Sequence, residues 1–130
     1  MAVGNTFGAT ALSSYGGFWI AYALILTPSL QVGGAYEESG DLNSALGFFL
    51  TGWFIFTTIL LLCTLRSTIM FFMLFFTLDL AFLMLACGEY ATDNGNASAA
   101  EKLTKAGGGF GMLAAFLAWY NAFAGIADTR

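Results

Sequence analysis

The stretch "TIMFFMLFFTLDLAFLMLAC", Thr68 to Cys87, holds eleven Leu, Ile and Phe residues around one acid, Asp79. Crossing a bilayer takes about 20 mostly apolar residues, which this stretch supplies. A central Asp costs about 2.5–3.5 kcal/mol on the insertion scale, while each Leu, Ile or Phe returns about 0.3–0.6. The apolar residues outweigh the acid, and the segment inserts. Lipid offers no partner to backbone N–H and C=O groups, so the inserted segment must be a helix.

The rest of the chain fits the same solvent. Of 130 residues, 58% are hydrophobic and 9% charged, against about 25% charged in an ordinary globular domain. Twelve charges (four basic, eight acidic) cannot cover a soluble surface of this size. The segments Ala9–Pro28, Ala45–Leu65 and Gly107–Ala127 join Thr68–Cys87 as predicted spans. The expectation is an all-α membrane protein with four transmembrane helices in a single integral domain, 1–130. Between them, Ser29–Ser44 reads as a solvated, acidic loop, Leu65-Arg66-Ser67 as a tight turn, and Gly88–Ala106 as a polar loop. A short surface helix is expected near Ala97–Lys105 within that last loop. Met1–Ala9 has no positive n-region, so a signal peptide is not expected.

Charge excludes some partners. The formal net charge is −4, and Arg66, Lys102, Lys105 and Arg130 form no basic patch, which argues against nucleic acid. Cys63 and Cys87 lie in apolar runs and suggest neither a disulfide framework nor a metal site. With no histidine and no metal-ligand cluster, no metal or cofactor is expected, and no enzyme. For orientation, the four basic residues divide two and two across the membrane, so the positive-inside rule gives a tie. The sequon Asn96-Ala97-Ser98, a possible glycosylation site at Asn96, and the acidic first loop share one face. The expectation is that both termini are cytoplasmic.

Asp79 is the one ionisable residue deep in a predicted span. Its cost has to be met by burial against protein, a water-filled path or protonation. Two readings stay open: a proton-accepting or gating carboxyl, or a neutral acid donating one hydrogen bond to a neighbouring helix. The stretch "GNTFGATALSSYGGFW", residues 4–19, is rich in small and hydroxyl residues where an anchor would carry leucine. Gly4 and Gly8 are spaced GxxxG, as are Gly107 and Gly111, and such pairs let helices approach closely. Thr6, Thr10, Ser13, Ser14 and Tyr15 can hydrogen-bond a small polar solute, and Gly16-Gly17 is expected to loosen or break the helix. In the fourth segment, Trp119 and Tyr120 read as anchors and Asn121 as a group that bonds across helices or lines a polar path.

Residues 4–19 resemble the hallmark of the acetate uptake transporter family, which includes bacterial succinate–acetate permeases and fungal acetate and ammonia-export proteins. The resemblance continues through "SALGFFLTGWFIFTTILLLCTLRST", "MFFMLFFTLDLAFLMLACG" and "KAGGGFGMLAAFLAWYNAFAGIAD", closest to the fungal branch. It implies a six-helix protomer in the plasma membrane that conducts small monocarboxylates, often with a proton, and assembles as a homohexamer in bacterial relatives. By the same resemblance, Tyr15 and Leu78 belong to the constriction of the path, with Asp79 beside Leu78 as modulator. Asn5, Thr6 and Ser14 follow as polar lining. The family's Asn-Pro-Ala-Pro-Leu-Gly-Leu signature has no counterpart here. The chain is therefore expected to match the last four of six helices and to be truncated at its N-terminus. Three functions follow as expectations. One is proton-coupled transport of acetate or a similar acid. Another is a shortened, non-transporting paralogue that assembles with full-length relatives, and the third is ammonia export.

Overall fold

The computed structural model describes residues 5–127, and every described regular element is helical. Four helices, α1 (Thr6–Leu26), α2 (Leu42–Cys63), α3 (Ile69–Asp93) and α4 (Ala97–Ala127), are each long and apolar enough to cross a membrane. Packing groups the chain into two compact units, 1–42 and 43–130.

In the first unit, Asn5 caps α1 by accepting the Gly8 N–H at 2.8 Å. A Cβ on Gly8 would lie 2.8 Å from Asn5 Nδ2, so the missing side chain gives the cap its room. The helix runs unbroken through Gly16-Gly17, contrary to the expected break. Glycine costs a helix only about 0.5–1 kcal/mol, whereas unwinding in an apolar medium strands backbone groups without partners. It ends at Thr27, whose extended backbone (ψ 113°) is what the following Pro28 requires. The expected loop after it contains two single 3₁₀ turns, Pro28–Leu30 and Gly34–Tyr36.

The second unit holds α2, α3 and α4. Thr64 and Ser67 tie the turn after α2, and Thr68 caps α3 by accepting the Phe71 N–H at 3.3 Å. The largest departure from the expected boundaries follows. The polar segment Gly88–Ala106 is almost wholly helical: α3 continues to Asp93 and α4 begins at Ala97, taking in the expected surface helix. The chain reverses within Asn94-Gly95-Asn96. Gly95 takes the left-handed φ of +72°, while Gly95 N–H and Asn96 N–H bond the carbonyls of Thr92 and Ala91 at 3.0 and 2.9 Å. Asn96 then caps α4 through Oδ1, which accepts the Ala99 N–H at 3.1 Å. Polarity here marks where the helices leave the apolar layer, not where they end. The 31 residues of α4 extend about 46 Å, more than the ~30 Å hydrocarbon thickness. Glu101 and Lys105 pair one turn apart on its polar first part.

Small residues set the distance between α3 and α4. Ala100, Gly107 and Ala114 are buried at heptad spacing on α4. A Cβ on Gly107 would fall 2.8 Å from Leu85 Cγ and 3.3 Å from the Ala81 carbonyl; one on Gly88 would fall 2.9 Å from Thr104 Oγ1. Gly111 differs, because a Cβ there meets nothing within 4 Å. Gly4 lies outside the described residues.

Gly107→Val should therefore wedge the α3–α4 seam and cost about 1–3 kcal/mol. Gly111→Ala should be neutral or stabilise by up to about 1 kcal/mol through helix propensity alone. Reversible unfolding of the two variants in lipid or detergent checks this; equal losses would show that Gly107 is not the contact point.

Candidate functional site

The second unit carries a polar seam between α2 and α3. On α2, Ser44, Thr51 and Thr58 stand at heptad intervals and face one side. Each meets a group on the antiparallel α3: Ser44 Oγ donates to Asp93 Oδ2 at 2.6 Å, Thr51 Oγ1 pairs with Tyr90 OH at 3.1 Å, and Thr58 Oγ1 lies 2.9 Å from Asp79 Oδ1. Gly47 lets Tyr90 reach Thr51, since a Cβ on Gly47 would lie 2.7 Å from the Tyr90 ring. Thr57 on α2 and Thr64 in the turn after it are fully buried.

Asp79 is buried, with 8% of its surface exposed, and Thr58 is the side chain that meets its carboxyl among the described residues. Around this level the seam is aromatic. Trp53 stacks on Phe82 with ring centroids 6.5 Å apart and meets Phe56 edge-on at 5.5 Å. Phe49, Gly52, Trp53 and Phe56 line an open apolar groove of about 400 Å³ on α2. Leu78 is half-buried and stands one step, about 100°, round α3 from Asp79.

Asn121 continues the α4 heptad series of Ala100, Gly107 and Ala114. Its Nδ2 donates to the Met70 carbonyl of α3 at 3.2 Å and to the Leu117 carbonyl of its own helix at 2.7 Å. Asn96 is exposed in the α3–α4 turn with its carbonyl oxygen engaged as a helix cap.

In the first unit, Ser14 and Tyr15 are half-buried on the stripe of α1 that also holds its two buried residues, Ala11 and Phe18. Phe18 stacks on Tyr22 at 5.6 Å. Thr6, Thr10 and Ser13 lie outside that stripe, and the Ser13 hydroxyl bonds back to the Ala9 carbonyl at 2.7 Å. Asn5 is occupied as the cap of α1. The same unit encloses an open cavity of about 780 Å³ between the end of α1 and the following turns, lined by Thr27, Gln31, Gly34 and Glu37 among others.

The structure thus joins Asp79 to Thr58 and Asn121 to Met70. Sequence reading singled out neither Thr58 nor the Ser44, Thr51 and Tyr90 pairings. One signal was present: three hydroxyl residues spaced by sevens on a mostly apolar helix mark a polar face toward a neighbour. Among the described residues, no three His, Cys, Asp or Glu residues come close enough to hold a metal ion.

The chain is similar to several curated fungal proteins. The chain is 59% identical over 99% of its length to a protein of Emericella nidulans named acetate permease A, covering 45% of that protein. It is 52% identical to accumulation of dyads protein 2 and 48% identical to ammonia transport outward protein 2, both of Saccharomyces cerevisiae, over 100% of the chain and 44% of each relative. The chain therefore spans under half the length of the curated relatives it matches. No solved structure matches it. The family model for GPR1/FUN34/yaaH proteins matches residues 1–130, and this multi-pass membrane chain belongs to the GPR1/FUN34/yaaH family.

Proposed function

We propose that this chain forms the conducting part, or a portion of it, of a transporter for small monocarboxylates such as acetate, carried together with a proton. The observation that carries the reading is the 59% identity, over nearly the whole chain, to a relative named acetate permease A. The chemistry of the helices agrees with it. From Thr6 to Leu26, Leu42 to Cys63 and Ala106 to Ala127 there is no Lys or Arg to hold a bare anion in a membrane interior. A carboxylate crossing such a path has to be neutralised, and a proton does that at least cost. Tyr15 and Leu78 are the proposed constriction, Asp79 the modulating carboxyl, and Asn5, Thr6 and Ser14 the polar lining. The reading is of conduction rather than catalysis, in the plasma membrane, with both termini cytoplasmic and the protein assembled as a homo-oligomer. The many exposed apolar side chains, Leu12, Phe48, Ile69 and Phe123 among them, suit lipid and subunit contacts alike.

Ammonia export is the second reading, favoured by the 48% identity to ammonia transport outward protein 2. A form that assembles with longer relatives rather than conducting alone is the third reading.

Uptake of labelled acetate into proteoliposomes of the complete protein should be electroneutral. An inward-directed gradient of one pH unit should support up to about tenfold accumulation, which a protonophore abolishes. Uptake that carries an inward negative current and ignores the pH gradient would sink proton coupling. Ammonium that inhibits nothing while being exported itself would favour the second reading. Tyr15→Ala should admit larger acids such as lactate, raising lactate uptake several-fold relative to acetate. Lactate exclusion unchanged in that variant would remove Tyr15 from the constriction.

A further inference from the structure

Thr51 and Thr58 stand one heptad apart on α2 and are built alike. Each hydroxyl lies within hydrogen-bond distance of the carbonyl one turn back on its own helix, Gly47 O at 2.8 Å and Phe54 O at 3.0 Å. Each also meets a group of α3, Tyr90 OH at 3.1 Å and Asp79 Oδ1 at 2.9 Å. A threonine hydroxyl has one proton and two lone pairs, and a carbonyl can only accept. When the threonine donates to its own helix, the group across the seam must therefore donate to the threonine. Tyr90 has a phenolic proton with which to do so. An ionised carboxylate has no proton to give. Beside Thr58 it would leave two acceptors competing for one hydrogen, and one short oxygen–oxygen contact would go unbonded.

We propose that Asp79 is a proton-binding site: its carboxyl is neutral, donates to Thr58 Oγ1, and Thr58 donates onward to the Phe54 carbonyl. The surroundings agree. α2 carries no Asp, Glu, Lys or Arg, and its one titratable side chain is Cys63 at its end. On α3, Glu89, Tyr90 and Asp93 lie about 15–21 Å further along the axis. Glu101, Lys102 and Lys105 of α4 sit toward the Gly88–Thr104 contact at that same distant end, and α4 has no charged residue from Ala106 to Ala127. No cation of these helices faces Asp79. The outer end of the seam shows the opposite arrangement. Ser44 is in the first turn of α2, with no helical carbonyl four residues back, and its proton goes to Asp93 in an exposed position where a carboxylate is hydrated.

Loss of the proton to water or to a solute base turns the Thr58 hydroxyl from Phe54 O to the new carboxylate. Occupancy of the site is thereby coupled to the side-chain bond from Thr58 to the Phe54 carbonyl of α2. The bound proton is independent of which solute the protein carries, so this inference stands apart from the transport reading.

Infrared spectroscopy of the complete protein in bilayers near neutral pH tests it. The spectrum of the wild type minus that of Asp79→Asn should contain a protonated carboxyl C=O band. Thr58→Val, which removes the acceptor, should move that band toward the position of a free acid, while Tyr90→Phe should leave it in place. The Asn amide still donates to Thr58, so that variant should assemble as the wild type does. A difference spectrum containing carboxylate bands alone would overturn the proposal. So would a protonated band indifferent to Thr58→Val. If Asp79→Asn does not assemble, the same comparison is made between ¹³C-aspartate-labelled wild type and Thr58→Val: a protonated signal that shifts supports the site, and its absence overturns it.

Discussion

Hydrocarbon supplies no hydrogen-bond partner, and every polar group placed in it must find one within the protein. The second unit is arranged around that constraint. Its central helix, α3, meets α2 through hydroxyl, phenol and carboxyl groups and meets α4 through glycine and alanine. Both devices are needed for the same reason. Apolar side chains gain little by leaving lipid for each other, so helices associate through close packing and interhelical hydrogen bonds. Ser44, Thr51 and Thr58 provide the second on one side of α3; Ala100, Gly107 and Ala114 provide the first on the other. Asn121, next in the α4 series, ends the close seam with a bond to the Met70 carbonyl.

The glycines divide by what their missing side chains make room for. Gly47 admits the Tyr90 ring, Gly88 and Gly107 admit the neighbouring helix, and Gly8 admits the cap of its own helix. Only Gly95 among the helix-flanking positions of the second unit is needed for its backbone, through its positive φ in the α3–α4 turn. These roles look alike in composition but act on different levels: packing between helices, room within one helix, and reversal of the chain.

Proton inventory connects the seam to the proposed function. A path without interior cations suits an acid that travels neutral, and the proton proposed for Asp79 beside Thr58 would keep that interior free of net charge. The relation to the family is specific along the matched span, yet the span is under half of each relative named above. What α2, α3 and α4 contribute is a set of bilayer-compatible helices with one carboxyl, Asp79, deep in the apolar part of α3.

Much of this was legible in the residues. Hydropathy is a sum over a short window, so the four spans, the all-helical class and the isolation of Asp79 follow from composition along the chain. The motif in residues 4–19 likewise pointed to the family without a structure. Helix ends were less legible: α3 and α4 run well past their apolar parts, because Glu89, Glu101 and Lys105 are good helix formers in water. The partners across the seams were not legible. Which residue of α3 meets Thr58 depends on the rotation and register of two helices, set by many contacts at once. The tertiary structure alone decided that Asp79 would face a hydroxyl already within reach of the Phe54 carbonyl one turn back on α2.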